Sequence, residues 1–215
     1  MLKRLHFEDR KSWLDGRRNS LGASDAAAVV GLSPWTTPLA LWKQKLGVEA
    51  APDLSGNEAV QQGVKMEPVL RQYYASTHPQ YGLEYYPFDI LYQDARPFMT
   101  ATLDGELIEL ESGRLGVLEI KNVNISSKTA LEKWTGGKMP DYYFVQAIAQ
   151  LSATGYSFHR LFAALHFLNG DVTLKEFEIE RQDVLDDISW LEEQESSFWE
   201  KNIRGGVMPS MPLVL

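Results

Sequence analysis

The chain has 215 residues, a formal charge of −8, 44% hydrophobic residues and 23% charged ones. Such values describe an ordinary globular chain with a sizeable core, read here as one domain over residues 1–215. They argue against a protein that coats nucleic acid by bulk positive charge. The absence of cysteine excludes disulfides, thiolate zinc sites, iron–sulfur clusters and cysteine nucleophiles. No apolar run approaches the length of a membrane span, and the opening MLKRLHFEDRKSW is charged throughout, without the apolar stretch of a signal peptide. A cytoplasmic protein is expected.

In chain order, a polar opening segment ends at Trp13-Leu14. Gly22-Ala23-Ser24-Asp25 then precedes a small apolar run, with Ser24 or Asp25 as N-cap of a short helix that stops at Gly31. LALWKQKLG predicts a second helix, closed by Gly47. The spacing of Val60, Val64, Glu67, Leu70 and Tyr74 predicts a helix from Glu58 to about Thr77, kinked or restarted at Pro68. Three β-rich runs follow: LEYYPFDILYQ, RPFMTATLDGELIEL and RLGVLEIKNV. Residues 124–138 read as a loop with a partial helix, and PDYYFVQAIAQLSATG as a long helix ending at Gly155. Two strands joined by Asn169-Gly170 come next, then a helix from about Arg181 to Ile203 and an apolar, Pro-broken tail. The order predicts a mixed α/β fold with a central mixed sheet flanked by helices.

The chemistry concentrates between Thr102 and Lys121. Asp104 sits at a turn, and Glu119 and Lys121 flank Ile120. In a strand, residues i and i+2 share a face, so Glu119 and Lys121 point together while Ile120 points into a core. Taken alone, this pattern also fits the solvated face of an exposed strand. The apolar neighbours in GVLEIKN favour a buried strand instead, where a carboxylate and an ammonium need each other or a metal. Magnesium takes oxygen ligands and keeps several waters. Asp104 could bridge two ions, and Glu119 and the Ile120 carbonyl could hold one. Lys121 would orient the attacking water or stabilise phosphate charge. Glu67 is a candidate third carboxylate or a surface helical residue. His6, His78, His159 and His166 show no metal-ligand spacing.

Asp104 followed by Glu119-Ile120-Lys121 resembles the PD-(D/E)xK nuclease core, with Leu103 where that motif often has Pro. The chain more specifically resembles the phage lambda exonuclease and YqaJ-like viral recombinase family. The pieces that carry the resemblance are Trp13-x-x-x-Arg17, Gly22-Ala23-Ser24-Asp25, Gly63-x-x-x-Glu67, Thr102-x-Asp104-Gly105, Leu118 to Lys121 and Tyr143-x-x-Gln146. They span residues 13 to about 150. A hairpin and helix at about 158–204 carry no such motif.

The resemblance implies a restriction-endonuclease-like core and catalytic roles for Asp104, Glu119, Lys121, Gln146 and Glu67. The implied metal ligands are Asp104, Glu119, Ile120 and Glu67, holding two magnesium ions, with manganese as the alternative. Arg17 matches a residue that grips the 5′-terminal phosphate, and Arg18 could share that task. A guanidinium fork suits phosphate better than an ammonium does. Ser24 matches a hydroxyl that contacts phosphate, and Thr102 stands where the family often has Ser. Ser24 also fits a plain N-cap, Gln146 a helical surface amide, and Tyr143 a core residue supporting Gln146. Trp35, Trp42, Tyr73 and Tyr74 are aromatic candidates for contact with bases.

The implied activity is a 5′→3′ exonuclease on double-stranded DNA ends. Its 3′ single-stranded tails would feed a single-strand annealing protein in phage or prophage recombination within a bacterial host. The family forms homotrimer rings around DNA, and no membrane is involved. An endonuclease or repair nuclease on the same core, or a noncatalytic DNA-end-binding module, stands as the alternative.

Overall fold

The computed structural model describes residues 1–210, and the apolar tail lies outside the described residues from position 211 on. Helices are α1 (Arg10–Arg18), α2 (Ala26–Val29), α3 (Pro38–Lys45), α4 (Glu58–Thr77), α5 (Lys128–Glu132), α6 (Asp141–Thr154) and α7 (Leu185–Ser197). Strands are β1 (Leu2–His6), β2 (Leu21–Gly22), β3 (Tyr81–Glu84), β4 (Asp89–Gln93), β5 (Met99–Ala101), β6 (Gly105–Glu109), β7 (Leu115–Ile125), β8 (Phe158–Phe167) and β9 (Val172–Glu180).

The expected single central sheet is, among the described residues, two mixed sheets, ordered β1-β4-β5-β2 and β3-β6-β7-β8-β9. Two of the β-rich runs break and change sheets. Residues 85–88 cross from β3 to β4, and 102–104 cross from β5 to β6. At the first crossing Phe88 takes φ of 64°, rare for a side chain with a Cβ. Its carbonyl accepts from Phe7 N–H, and its ring packs on Trp13. The second crossing holds Asp104.

β1 and α1 form within the segment read as merely polar. β1 is an edge strand whose residues are all at least partly exposed, and it carries Lys3, Arg4 and His6. α1 is capped by Asp9, whose carboxylate accepts from Ser12 N–H at 2.8 Å. Helix α4 runs through Pro68 without a restart. Neither Ser24 nor Asp25 caps α2 through its side chain. A 3₁₀ turn at Ala23–Asp25 leads into it, and the Asp25 carboxylate reaches back to Gly22 N–H at 3.0 Å.

Helix α6 lies at the centre. From Val145 to Thr154 every residue except Gln146 is buried, against Ala26, Ile188 and Leu191 among others. A helix that is apolar all round belongs inside a protein. On the second sheet, Leu118 and Ile120 of β7 meet Leu70 and Tyr74 of α4 and Phe162 of β8. Each such side chain contributes about 1.5–3 kcal/mol of burial. β7 pairs antiparallel with β6 and parallel with β8. Gly116 on β7 lies opposite Phe158, and a Cβ there would sit 2.1 Å from the Phe158 ring.

Candidate active site

The register of the β6–β7 hairpin builds the centre. Gly105 pairs with Leu118, so Asp104 stands beside Glu119 where β6 begins. Asp104 Oδ2 accepts from Ile120 N–H at 2.8 Å. A strand residue's N–H and C=O leave by the same edge. The Ile120 carbonyl therefore faces the Asp104 edge, beyond the end of β6. The Ile120 side chain enters the core.

Glu119 and Lys121 share the opposite face, and α6 lays two glutamines across them. Lys121 Nζ donates to Glu119 Oε1 at 2.6 Å and to Gln146 Oε1 at 3.0 Å. Gln146 Nε2 donates to Glu119 Oε1 at 2.7 Å, closing a triangle. Gln150, one turn on, donates to Glu119 Oε2 at 2.6 Å and to the Thr102 carbonyl at 3.2 Å. Behind it, His159 Nε2 lies 2.8 Å from Gln150 Oε1. The Tyr143 ring centroid lies 4.7 Å from Lys121 Nζ, a cation–π contact.

Glu67 approaches from α4 but is paired with Arg71, whose guanidinium also donates to the Asp104 carbonyl and stacks on Tyr85. Burial first, then the charges of Glu119 and Glu67, holds the Asp104 carboxyl well above the usual carboxylate range. Burial raises Glu67 too, with Arg71 opposing and Glu119 adding to the rise. Burial also works against the charges of Glu119 and Lys121, but their mutual attraction outweighs it: Glu119 lies below its ordinary value and Lys121 above. The centre gathers three carboxylates, Asp104, Glu119 and Glu67, against two cationic side chains, Lys121 and Arg71.

The donor set fits a hard divalent ion: a buried carboxylate at Glu119, a half-buried one at Asp104 and a carbonyl, all oxygen. Asp104, Glu119 and the Ile120 carbonyl would hold it. Among the described residues no three His, Cys, Asp or Glu side chains converge as a metal cage. Glu67 in particular is paired with Arg71. Two carboxylates with water completing the shell suffice for magnesium.

A cleft of about 60 Å³ adjoins this centre, and its lining joins Arg17, Ser24 and Thr102 to Asp104, Glu119 and Gln146. Arg17 Nη2 donates to Ser24 Oγ at 2.9 Å, and the guanidinium lies 4.7 Å over the Trp13 ring. Lys45 secures the turn below. Its Nζ donates to the Ser20 carbonyl at 2.6 Å and the Arg17 carbonyl at 3.2 Å, and pairs with Asp25 at 2.8 Å. Arg18 turns away to Asp15 and does not line the cleft.

Of the aromatic candidates, Tyr74 is fully buried, Trp42 donates its ring N–H to the Asn202 carbonyl, and Tyr73 stacks on Phe162. Trp35 is 70% exposed and packs edge-on against Tyr142, next to Tyr143.

Four contributors were not read from the sequence: Gln150, His159, Lys45 and Arg71. Gln150 did leave a signal, an amide one helical turn after Gln146 in an otherwise apolar and small-residue helix. Arg71 left one too, its i,i+4 spacing from Glu67. Lys45 and His159 left none, because their partners lie on other elements or are backbone carbonyls.

Residues 12–157 match the family model of the YqaJ-like viral recombinase domain. The chain belongs to that family. The Bacillus subtilis (strain 168) protein YqaJ is 27% identical over 94% of this chain, and the chain spans 59% of that relative's length. Among solved structures, the alkaline exonuclease LHK-Exo of Laribacter hongkongensis superposes with a TM-score of 0.65 at 20% identity. The match covers 91% of this chain and 93% of that one. A phage-related exonuclease from Haemophilus somnus 129PT gives a TM-score of 0.52 at 11% identity, over 87% of this chain and 96% of its own. The shared fold is the mixed PD-(D/E)xK-type architecture. Among the described residues, no helix is long and apolar enough to cross a membrane.

Proposed function

We propose that the chain is a deoxyribonuclease that digests duplex DNA from a 5′ end and leaves a 3′ single-stranded tail. The observation that carries this reading is the single cleft joining Arg17 and Ser24 to Asp104, Glu119 and Gln146. An arginine–hydroxyl pair suits a terminal phosphate, and a buried acid–ammonium–amide cluster suits attack on the next phosphodiester. The family assignment supports it, as does the fold shared with proteins described as exonucleases, one of them also solved with dAMP.

Arg17 grips the 5′-phosphate with its fork, held in place by the Trp13 face and Ser24. Lys121, kept charged by Glu119, faces the charge that develops on the scissile phosphate. Gln146 bonds both Lys121 and Glu119 and orients the attacking water. Asp104 and Glu119 supply the carboxylates for magnesium or manganese, one ion or two, which when bound polarises the phosphate and activates water. Glu67, paired with Arg71, would serve as an outer carboxylate toward a second ion. Thr102 lines the wall beside the phosphate.

In this reading the 3′ tails pass to a single-strand annealing protein during phage-type recombination in the bacterial cytoplasm. The protein works as a homotrimeric ring, and basic residues lining its channel reconcile DNA binding with a net charge of −8. A duplex labelled separately at each end, beside a covalently closed circle, tests the reading. With magnesium, label should leave the 5′ end first and the circle should survive. Digestion of the circle would assign an endonuclease, and metal-independent binding without cleavage a noncatalytic module.

A further inference from the structure

Beneath the cleft, a buried amide holds the Glu119 carboxylate. Gln150 and His159 are both fully buried. An amide or an imidazole can be turned end for end, so its neighbours must settle its orientation. The Glu119 carboxylate and the Thr102 carbonyl can only accept, which puts the Gln150 nitrogen on their side. The Gln150 oxygen then faces His159 at 2.8 Å, so Nε2 of that ring carries the hydrogen. His159 Nδ1 is left as a lone pair with no partner. A second ring hydrogen would be stranded, and burial pulls this imidazole down to about 4. The ring is neutral, and its tautomer is set.

The pattern at Glu119 gives the pair a purpose. Oε1 already accepts from both Lys121 and Gln146, whereas Oε2 accepts only from Gln150. A carboxylate oxygen has two acceptor directions. The direction left for a cation is therefore on Oε2, the oxygen that Gln150 holds. We propose that Gln150 and His159 are positioning residues, a buried relay that aims the free lone pair of Glu119 Oε2 at a divalent cation. The proposal rests on the reading of Glu119 as a cation ligand. His159 acts one step removed: it occupies the amide oxygen, so the amide nitrogen cannot turn away from the carboxylate. Packing alone does not call for this histidine. A leucine would fill the space on β8 without burying a ring nitrogen that finds no partner.

The test measures Mn²⁺ binding to the full chain by calorimetry without DNA. In parallel, kcat and KM are measured on a 5′-phosphorylated duplex. Removing a residue that orients a metal ligand changes metal affinity or activity by about 10–100-fold. Gln150→Leu should weaken Mn²⁺ binding at least about tenfold and lower kcat, with KM for DNA unchanged. His159→Leu should do the same to a smaller degree. His159→Gln, whose amide nitrogen can stand where Nε2–H stood, should recover most of that loss. Thermal unfolding checks each variant, and if Gln150→Leu does not fold, the two His159 variants decide. Glu119→Ala is the control. If it loses Mn²⁺ while folded Gln150→Leu and His159→Leu bind within about twofold of the parent, the relay alone is wrong. If Glu119→Ala binds Mn²⁺ as the parent does, the cation reading fails and the relay with it. His159→Gln no better than His159→Leu also overturns the relay.

Discussion

Removing Arg17 separates recognition of the DNA end from chemistry. The guanidinium is half-buried, stacked on Trp13 and bonded through one nitrogen to Ser24, which leaves further N–H groups for a ligand. A charge-assisted hydrogen bond contributes about 1.5–3 kcal/mol, and a guanidinium presents two in parallel to a phosphate. Because the cleft is open to water, the lower end applies, about 3 kcal/mol for the pair. At about 1.4 kcal/mol per tenfold, that is roughly a hundredfold in kcat/KM. Arg17→Ala should therefore lose about two decades on a 5′-phosphorylated duplex, and only a few-fold on the same duplex with a 5′-hydroxyl. Arg17→Lys should recover part of the loss, because it keeps the charge but not the fork. The assay is steady-state release of the terminal nucleotide from matched duplexes that differ in one phosphate. Equal losses on both ends would refute the phosphate clamp.

Three further outcomes follow from burial and assembly. Glu195 is 1% exposed, its Oε2 has no partner, and burial, with Asp25 and Glu192 adding, pushes its carboxyl up to about 8. Its folded value lies above the unfolded one, so its contribution is present at acid pH and is lost as pH rises toward and through about 8. Glu195→Gln should remove this dependence, and urea titrations at pH 9 should show it more stable than the parent by up to about 5 kcal/mol. No difference between the two at pH 9 would show that Glu195 is solvated. Gly116→Ala should destabilise by about 1–3 kcal/mol through collision with the Phe158 ring, seen as a lower melting temperature. An unchanged melting temperature would mean that the strand pair yields freely. Light scattering should report three chains per particle, and a stable monomer that still degrades DNA processively would contradict the ring.

The placement of Glu119 and Lys121 on one face was legible because strand alternation is a local rule and needs only the spacing. The long helices were legible from their periodicity, and Gly155 from its position after α6. Sheet membership was not. LEYYPFDILYQ has strand composition on both sides of Pro87, but which sheet each half joins is decided by distant residues. The same holds at 102–104, where the change of sheets places Asp104 beside Glu119. β1 was hidden by the charges that suit an edge strand. Arg17 and Ser24 entered through family resemblance; nothing in their spacing points to residue 104. His159 meets Gln150 only because β8 returns parallel to β7, a relation that no local window contains.

The central claim is that the Asp104–Glu119–Lys121 cluster hydrolyses the DNA end that Arg17 holds. Its most direct test is Lys121→Ala, followed on one sample by single-turnover cleavage and by equilibrium binding to a 5′-phosphorylated duplex end. The account predicts cleavage reduced by at least about three decades, from the loss of buried charge stabilisation, with end binding within a few-fold of the parent. Cleavage at the parental rate would contradict it.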